Sequence, residues 1–132
     1  PGFLVQFLKE LGVSRVYGWE PGRLYSPAWV FDVVICREVL EHLAIPDAGR
    51  VVVDLCAKSK RYVYVTTRFA QNSLSVLDVT DEHEVDPTHI TCLNQDFLRA
   101  LFVMQGMRRR ADLEFKLDWL NKGRCLVYEH VV

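Results

Sequence analysis

No stretch of this chain approaches the ~20 consecutive apolar residues that a helix needs to cross a bilayer. No secretory signal precedes the fold, since the chain opens directly on Pro1-Gly2-Phe3; the missing Met points to a fragment or a processed product. Net charge is almost absent, with 16 Lys and Arg against 17 Asp and Glu. No global field therefore draws the chain to nucleic acid or to an anionic membrane, and both are disfavoured as partners. The four cysteines, Cys36, Cys56, Cys92 and Cys125, form no C-x-x-C pair, which argues against a zinc site. Each lies in an apolar run, as small buried thiols do in a reduced, cytoplasmic protein. Internal repeats and low-complexity segments are absent. The densest basic run, Arg108-Arg109-Arg110, reads as a solvated loop or a strand start.

Half of the 132 residues are hydrophobic, enough for one domain with one core. Phe3, Leu4, Phe7, Leu8 and Leu11 recur at helical spacing, and Gly12 follows as a C-terminal cap. Val13–Trp19 reads as a short strand ending at the turn Glu20-Pro21-Gly22. Phe31–Cys36 is a nearly continuous apolar run, suited to a strand buried on both faces. Arg37–Leu43 reads as a short helix stopped near Pro46, and Asp47 as the cap of a helix through about Lys58. Tyr62–Thr67 reads as a strand, residues 68–88 as a long acidic loop, and Thr88–Leu93 as a short extended piece. Asn94 caps a helix with the apolar face Phe97, Leu98, Leu101, Phe102 and Met104, ended by Gly106. Residues 109–119 and 124–131 read as two strands, made a hairpin by Asn121-Lys122-Gly123. This alternation predicts an α/β fold: a mostly parallel sheet with helices on both faces and a C-terminal antiparallel hairpin.

Open α/β sheets bind ligands beyond the carboxyl ends of their strands. The first strand end carries Glu20, an acid able to accept hydrogen bonds from both hydroxyls of a ribose. The next runs through Cys36-Arg37 into Glu38-Val39-Leu40-Glu41-His42. The string FDVVICREVLEHL resembles the fourth-strand segment of class I, Rossmann-like methyltransferases, where an FD-plus-apolar strand leads into an "LEH" helix. Upstream, PGFLVQFLKELGVSRVYGWEPG resembles that family's first helix, second strand and acidic ribose-binding turn. RYVYVTTR resembles the fifth strand, and DPTHITCLNQDFLRALFVMQGM the late threonine-histidine, helix, glycine segment. The closing strands match the sixth and seventh.

Two departures accompany the resemblance. The family's first strand with its glycine motif is missing, and Pro1-Gly2 look like the last residues of that motif. Only eleven residues separate Glu20 from Asp32, where the family fits a helix, a strand and an adenine-contacting acid. Residues 1–132 are thus expected to be a single methyltransferase-like domain, incomplete at its N-terminus and between 21 and 31. An exposed sheet edge in the shortened region would favour self-association.

The resemblance implies S-adenosylmethionine as cofactor and methyl transfer to a small-molecule acceptor. It implies Glu20 on the ribose hydroxyls, Trp19 and Pro21 flanking the adenosine, and Gly2 near the amino-acid portion. Cys36 and Arg37 would line the pocket by backbone, with Arg37 beside the cofactor carboxylate. His42 and His89 are the candidate catalytic bases, and His42 is expected to share a helical face with Glu38. No metal is expected. Two other readings compete: a non-catalytic module that keeps the fold for partner binding, and a metal-dependent RNA 2'-O-methyltransferase using Glu38, Glu41, His42 and His89.

Overall fold

The computed structural model describes residues 2–18, 30–69, 77–78, 91–118 and 123–131. In chain order the elements are α1 (Gly2–Glu10), β1 (Phe31–Arg37), a 3-10 turn (Leu40–His42), α2 (Ile45–Lys58), β2 (Ser59–Thr66) and β3 (Leu77–Asp78). They continue with β4 (Cys92–Leu93), α3 (Gln95–Val103), β5 (Met107–Arg109), α4 (Ala111–Leu117) and β6 (Cys125–His130). The main sheet runs β1-β2-β6-β5, and β3 with β4 forms a small second ladder. The sheet is mixed over the described strands. β1 and β2 are parallel, while β6 runs antiparallel to both β2 and β5.

Strand alternation sorts the sheet into two faces. Val34 and Cys36 of β1 share one face with Val63, Val65, Leu126 and Tyr128, through the pairings Val34↔Val63, Cys36↔Val65, Val65↔Leu126 and Val63↔Tyr128. Helices α2 and α3 cover it. Ala48, Val52 and Cys56 of α2 and Leu98 and Phe102 of α3 are buried at helical spacing. The Phe102 ring stacks on Tyr128 at 4.1 Å between centroids, 7° from parallel. On the other face Val33 and Ile35 of β1 stay 49% and 41% exposed, while Cys125 and Val127 of β6, the strand α4 packs against, are buried.

Helix α2 begins three residues earlier than expected. Ala44 is the capping position, Pro46 sits in the first turn where a missing N–H costs nothing, and Asp47 lies inside the helix paired with Arg50 at 3.3 Å. Tertiary burial of Val52 outweighs the strand preference of Val51-Val52-Val53. Helix α3 is capped as expected, with Asn94 Oδ1 accepting from the Asp96 N–H at 2.8 Å. Gly106 ends that region with φ of +79°, a conformation cheap only for glycine. Met104 does not join the apolar face; it is 76% exposed.

One expected strand is absent and another is cut short. Residues 13–18 form none, and Trp19 lies outside the described residues. The segment is tied instead to the amino end of β1, where the Tyr17 and Phe31 rings lie 5.5 Å apart. A strand needs a neighbour to satisfy its ladder, and propensity alone does not supply one. The stretch 109–119 is strand only to Arg109; Ala111–Leu117 is α4. The β5–β6 pair is antiparallel as expected, but a helix joins it rather than a tight turn; Asn121 and Lys122 lie outside the described residues. The reason is Glu114. Its carboxylate binds Arg109 twice through Nε and Nη2 (2.7–3.0 Å) and accepts the Val127 N–H at 3.2 Å. That carboxylate occupies the edge of β6 where a continuing strand would have paired. The Arg108–Arg110 run is a strand start, but none of its guanidiniums is merely solvated: each is paired with a carboxylate.

Candidate functional site

β1 ends at a sharp turn. Glu38 adopts φ of 53°, in the left-handed region that costs a non-glycine residue roughly 1–2 kcal/mol. The cost is offset by β2: the Glu38 N–H donates to the Thr66 carbonyl at 2.8 Å and lies 3.2 Å from its hydroxyl. The turn closes with the Leu40–His42 3-10 helix, shorter than the expected 37–43 helix. Because Glu38 precedes that helix in a left-handed conformation, Glu38 and His42 do not share a helical face. His42 is exposed on the turn, whereas Glu41 is wholly buried.

Glu41 is the organising residue. Its Oε2 accepts the Thr67 hydroxyl at 2.9 Å, and its backbone carbonyl accepts the Thr91 N–H at 3.1 Å. The Thr91 hydroxyl in turn donates to the Leu43 carbonyl at 2.6 Å. Three segments, the β1 turn, the end of β2 and the strand before α3, are thereby locked at the carboxyl end of the parallel pair. Glu38 lies beside Glu41, with which it can share a hydrogen bond when its own carboxyl is protonated. Burial raises the Glu38 pKa above its ordinary value, and the bond to Glu41 and the Glu41 charge raise it further; Arg124 and Arg37 oppose this.

Cys36 and Arg37 stand at the strand end, Cys36 buried and Arg37 exposed. Burial, then the Glu41 charge, pushes the Cys36 thiol up to about 12, so it stays protonated and unreactive near neutrality. Gly2 opens α1, whose trailing segment is fastened to the amino end of β1. Trp19, Glu20, Pro21 and His89 lie outside the described residues. Among the described residues no three His, Cys, Asp or Glu side chains converge on a point that could hold a metal ion. The roles of Glu41, Thr66, Thr67 and Thr91 as a network were not read from sequence. The signal was there in the Thr66-Thr67 pair at the end of an apolar strand, where hydroxyls serve bonding better than packing.

No family model matches the sequence, and no curated protein matches it. Among solved structures, the chain resembles the crystal structure of magnesium protoporphyrin IX methyltransferase from Synechocystis PCC 6803 with bound SAH, at a TM-score of 0.54 and 16% identity. The match covers 78% of this chain and 46% of that one, so this chain spans about half the length of the enzyme it matches. At that identity the likeness establishes the fold. The chain carries a class I methyltransferase-like α/β fold, as the β1 turn and the late segment implied.

Proposed function

We propose that this protein binds S-adenosylmethionine beyond the carboxyl end of β1 and transfers its methyl group to a small-molecule acceptor. One observation carries the reading: a left-handed turn, braced by β2, sits at the strand end where this fold class takes its ligand. A chain that bends away at once after the strand leaves main-chain groups of Cys36 and Arg37 at the strand end, which fits contact by backbone. Arg37 would face the cofactor carboxylate, Glu20 the ribose hydroxyls, Trp19 and Pro21 the adenosine, and Gly2 the amino-acid portion. Bound, the sulfonium supplies an activated methyl group for in-line transfer to an O, N or C nucleophile. The chain's own work is to position the reactants and exclude water. His42 or His89 would accept a proton where the acceptor is a hydroxyl. Four buried thiols fit a reducing compartment such as the cytoplasm.

Calorimetric titration of SAH into the complete natural protein tests the reading. Saturable binding is expected, weakened about tenfold or more by Glu20→Ala, which removes an acceptor for two hydroxyls. No heat with the unaltered protein overturns the proposal. That result would favour the second reading, a non-catalytic interaction module, which draws support from exposed apolar side chains at Phe3 (95%) and Val33 (49%).

A further inference from the structure

The opposite end of the sheet carries a separate constellation. Asp32 lies roughly 16 Å along β1 from Arg37, at about 3.3 Å per residue. There a cleft of about 470 Å³ opens, with Asp32, Lys60, Arg61, Arg108 and Glu129 among its lining residues. Three guanidiniums converge on the one Glu129 carboxylate. Arg108 donates to Oε1 from Nη2 at 2.8 Å and Nε at 3.2 Å, and Arg110 donates to the same oxygen from Nη1 at 3.0 Å. Arg61 donates from Nε to Oε2 at 3.1 Å.

Stability accounts for only part of this arrangement. The Glu129 carboxylate, 8% exposed, needs a cation, and Arg110, 25% exposed, supplies one. The Arg61 and Arg108 side chains are 65% and 62% exposed, and ion pairs so wet add little to that. Nor does Glu129 exhaust the donors. Arg110 spends Nε and Nη2 on Asp112, at 2.9 and 2.8 Å. Arg61 Nη1 and Nη2, Arg108 Nη1 and the Lys60 ammonium make no hydrogen bond among the described residues. The Arg61 guanidinium is held over the Tyr62 ring, 4.8 Å from its centroid, which limits its freedom before any ligand arrives. The result is a set of oriented donors with unused capacity, gathered by a carboxylate on the floor of a cleft. Two forked guanidiniums and one point-charge ammonium suit a tetrahedral oxyanion. Asp32, on the β1 side, repels such an anion toward β2 and β5.

We propose that this cleft binds the phosphate group of a small anionic ligand through Lys60, Arg61 and Arg108, with Glu129 as the template that orients the guanidiniums. The site lies apart from the β1 turn and does not depend on methyl transfer. Calorimetry of pyrophosphate with the whole protein at low ionic strength tests it, with sodium chloride at equal ionic strength as control. Saturable binding is expected with pyrophosphate alone, together with a rise in Tm that the chloride does not reproduce. Lys60→Glu should weaken binding about tenfold or more while leaving the unliganded Tm nearly unchanged, because the Lys60 side chain makes no hydrogen bond among the described residues. Arg61→Gln should act in the same direction. Binding equal in Lys60→Glu and the unaltered protein overturns the proposal, as does stabilisation matched by chloride. A single-stranded oligonucleotide separates the two sources of phosphate: binding by the oligonucleotide with none by pyrophosphate also overturns it.

Discussion

Tyr128 shows how one residue can serve packing and work against it. Its ring is wholly buried against Phe102, yet its hydroxyl has no hydrogen-bond partner among the described residues. A buried hydroxyl left in that state costs about 1–3 kcal/mol. Tyr128→Phe keeps the stack and removes the cost, so Tm should rise by a few degrees in a scanning calorimeter. Phe102→Ala removes the stack itself and should cost about 3–5 kcal/mol. Glu38 makes a second test at this scale, through pH. Its folded pKa lies above the ordinary carboxylate value of 4.5, so between the two values the folded chain holds a proton that the unfolded chain releases. The contribution is complete below the ordinary value and is lost as pH rises through the raised one. Tm should therefore fall as pH rises from 4.5 through the raised value, and Glu38→Gln, which cannot ionise, should flatten that fall. Neither feature was legible beforehand. Spacing identified Glu38 and Glu41 as a pair, but only the left-handed turn at Glu38 decided that the pair does not line a helix with His42.

At the scale of elements, α4 is the instructive case. Leu113, Phe115 and Leu117 alternate, and alternation reads as strand. In the fold Phe115 and Leu117 are 86% and 47% exposed, so the alternation encodes no buried face. What decides the element is the buried Glu114, which grips Arg109 and caps the Val127 N–H. Glu114→Ala would leave that guanidinium and that N–H without their acceptor, at a cost of about 3 kcal/mol. Phe115→Ala should stay within about 0.5 kcal/mol. Urea midpoints for the two variants check the contrast; equal losses would mean that α4 is held by its apolar residues after all. By comparison α3 was readable from Asn94 to Gly106, since its cap, its stripe and its stop are all local.

Over the whole molecule, the four thiols report on the integrity of the core. Cys36, Cys56, Cys92 and Cys125 are each at most 7% exposed. Burial pushes Cys36 up to about 12 and Cys56 up to about 11, and also raises Cys125. A thiol-specific disulfide reagent at about pH 8 should react only at the rate of unfolding, with all four groups released together in denaturant. A fast-reacting thiol in the native protein would contradict the burial. The chain alone determined the α/β class, the caps at Asn94 and Gly106, the burial of the cysteines and the likeness around FDVVICREVLEHL. Those follow from composition, period and short-range chemistry. Tertiary structure decided that Val13–Gly18 forms no strand, that Ala111–Leu117 is a helix, and that Glu41 fastens three segments while Glu129 gathers three arginines. Each of these depends on a partner distant in sequence: a missing ladder neighbour, the edge of β6, Thr67 and Thr91, Arg61 and Arg108. Local pattern carries no information about such partners, because a carboxylate reads the same in sequence whether solvent or a guanidinium will meet it.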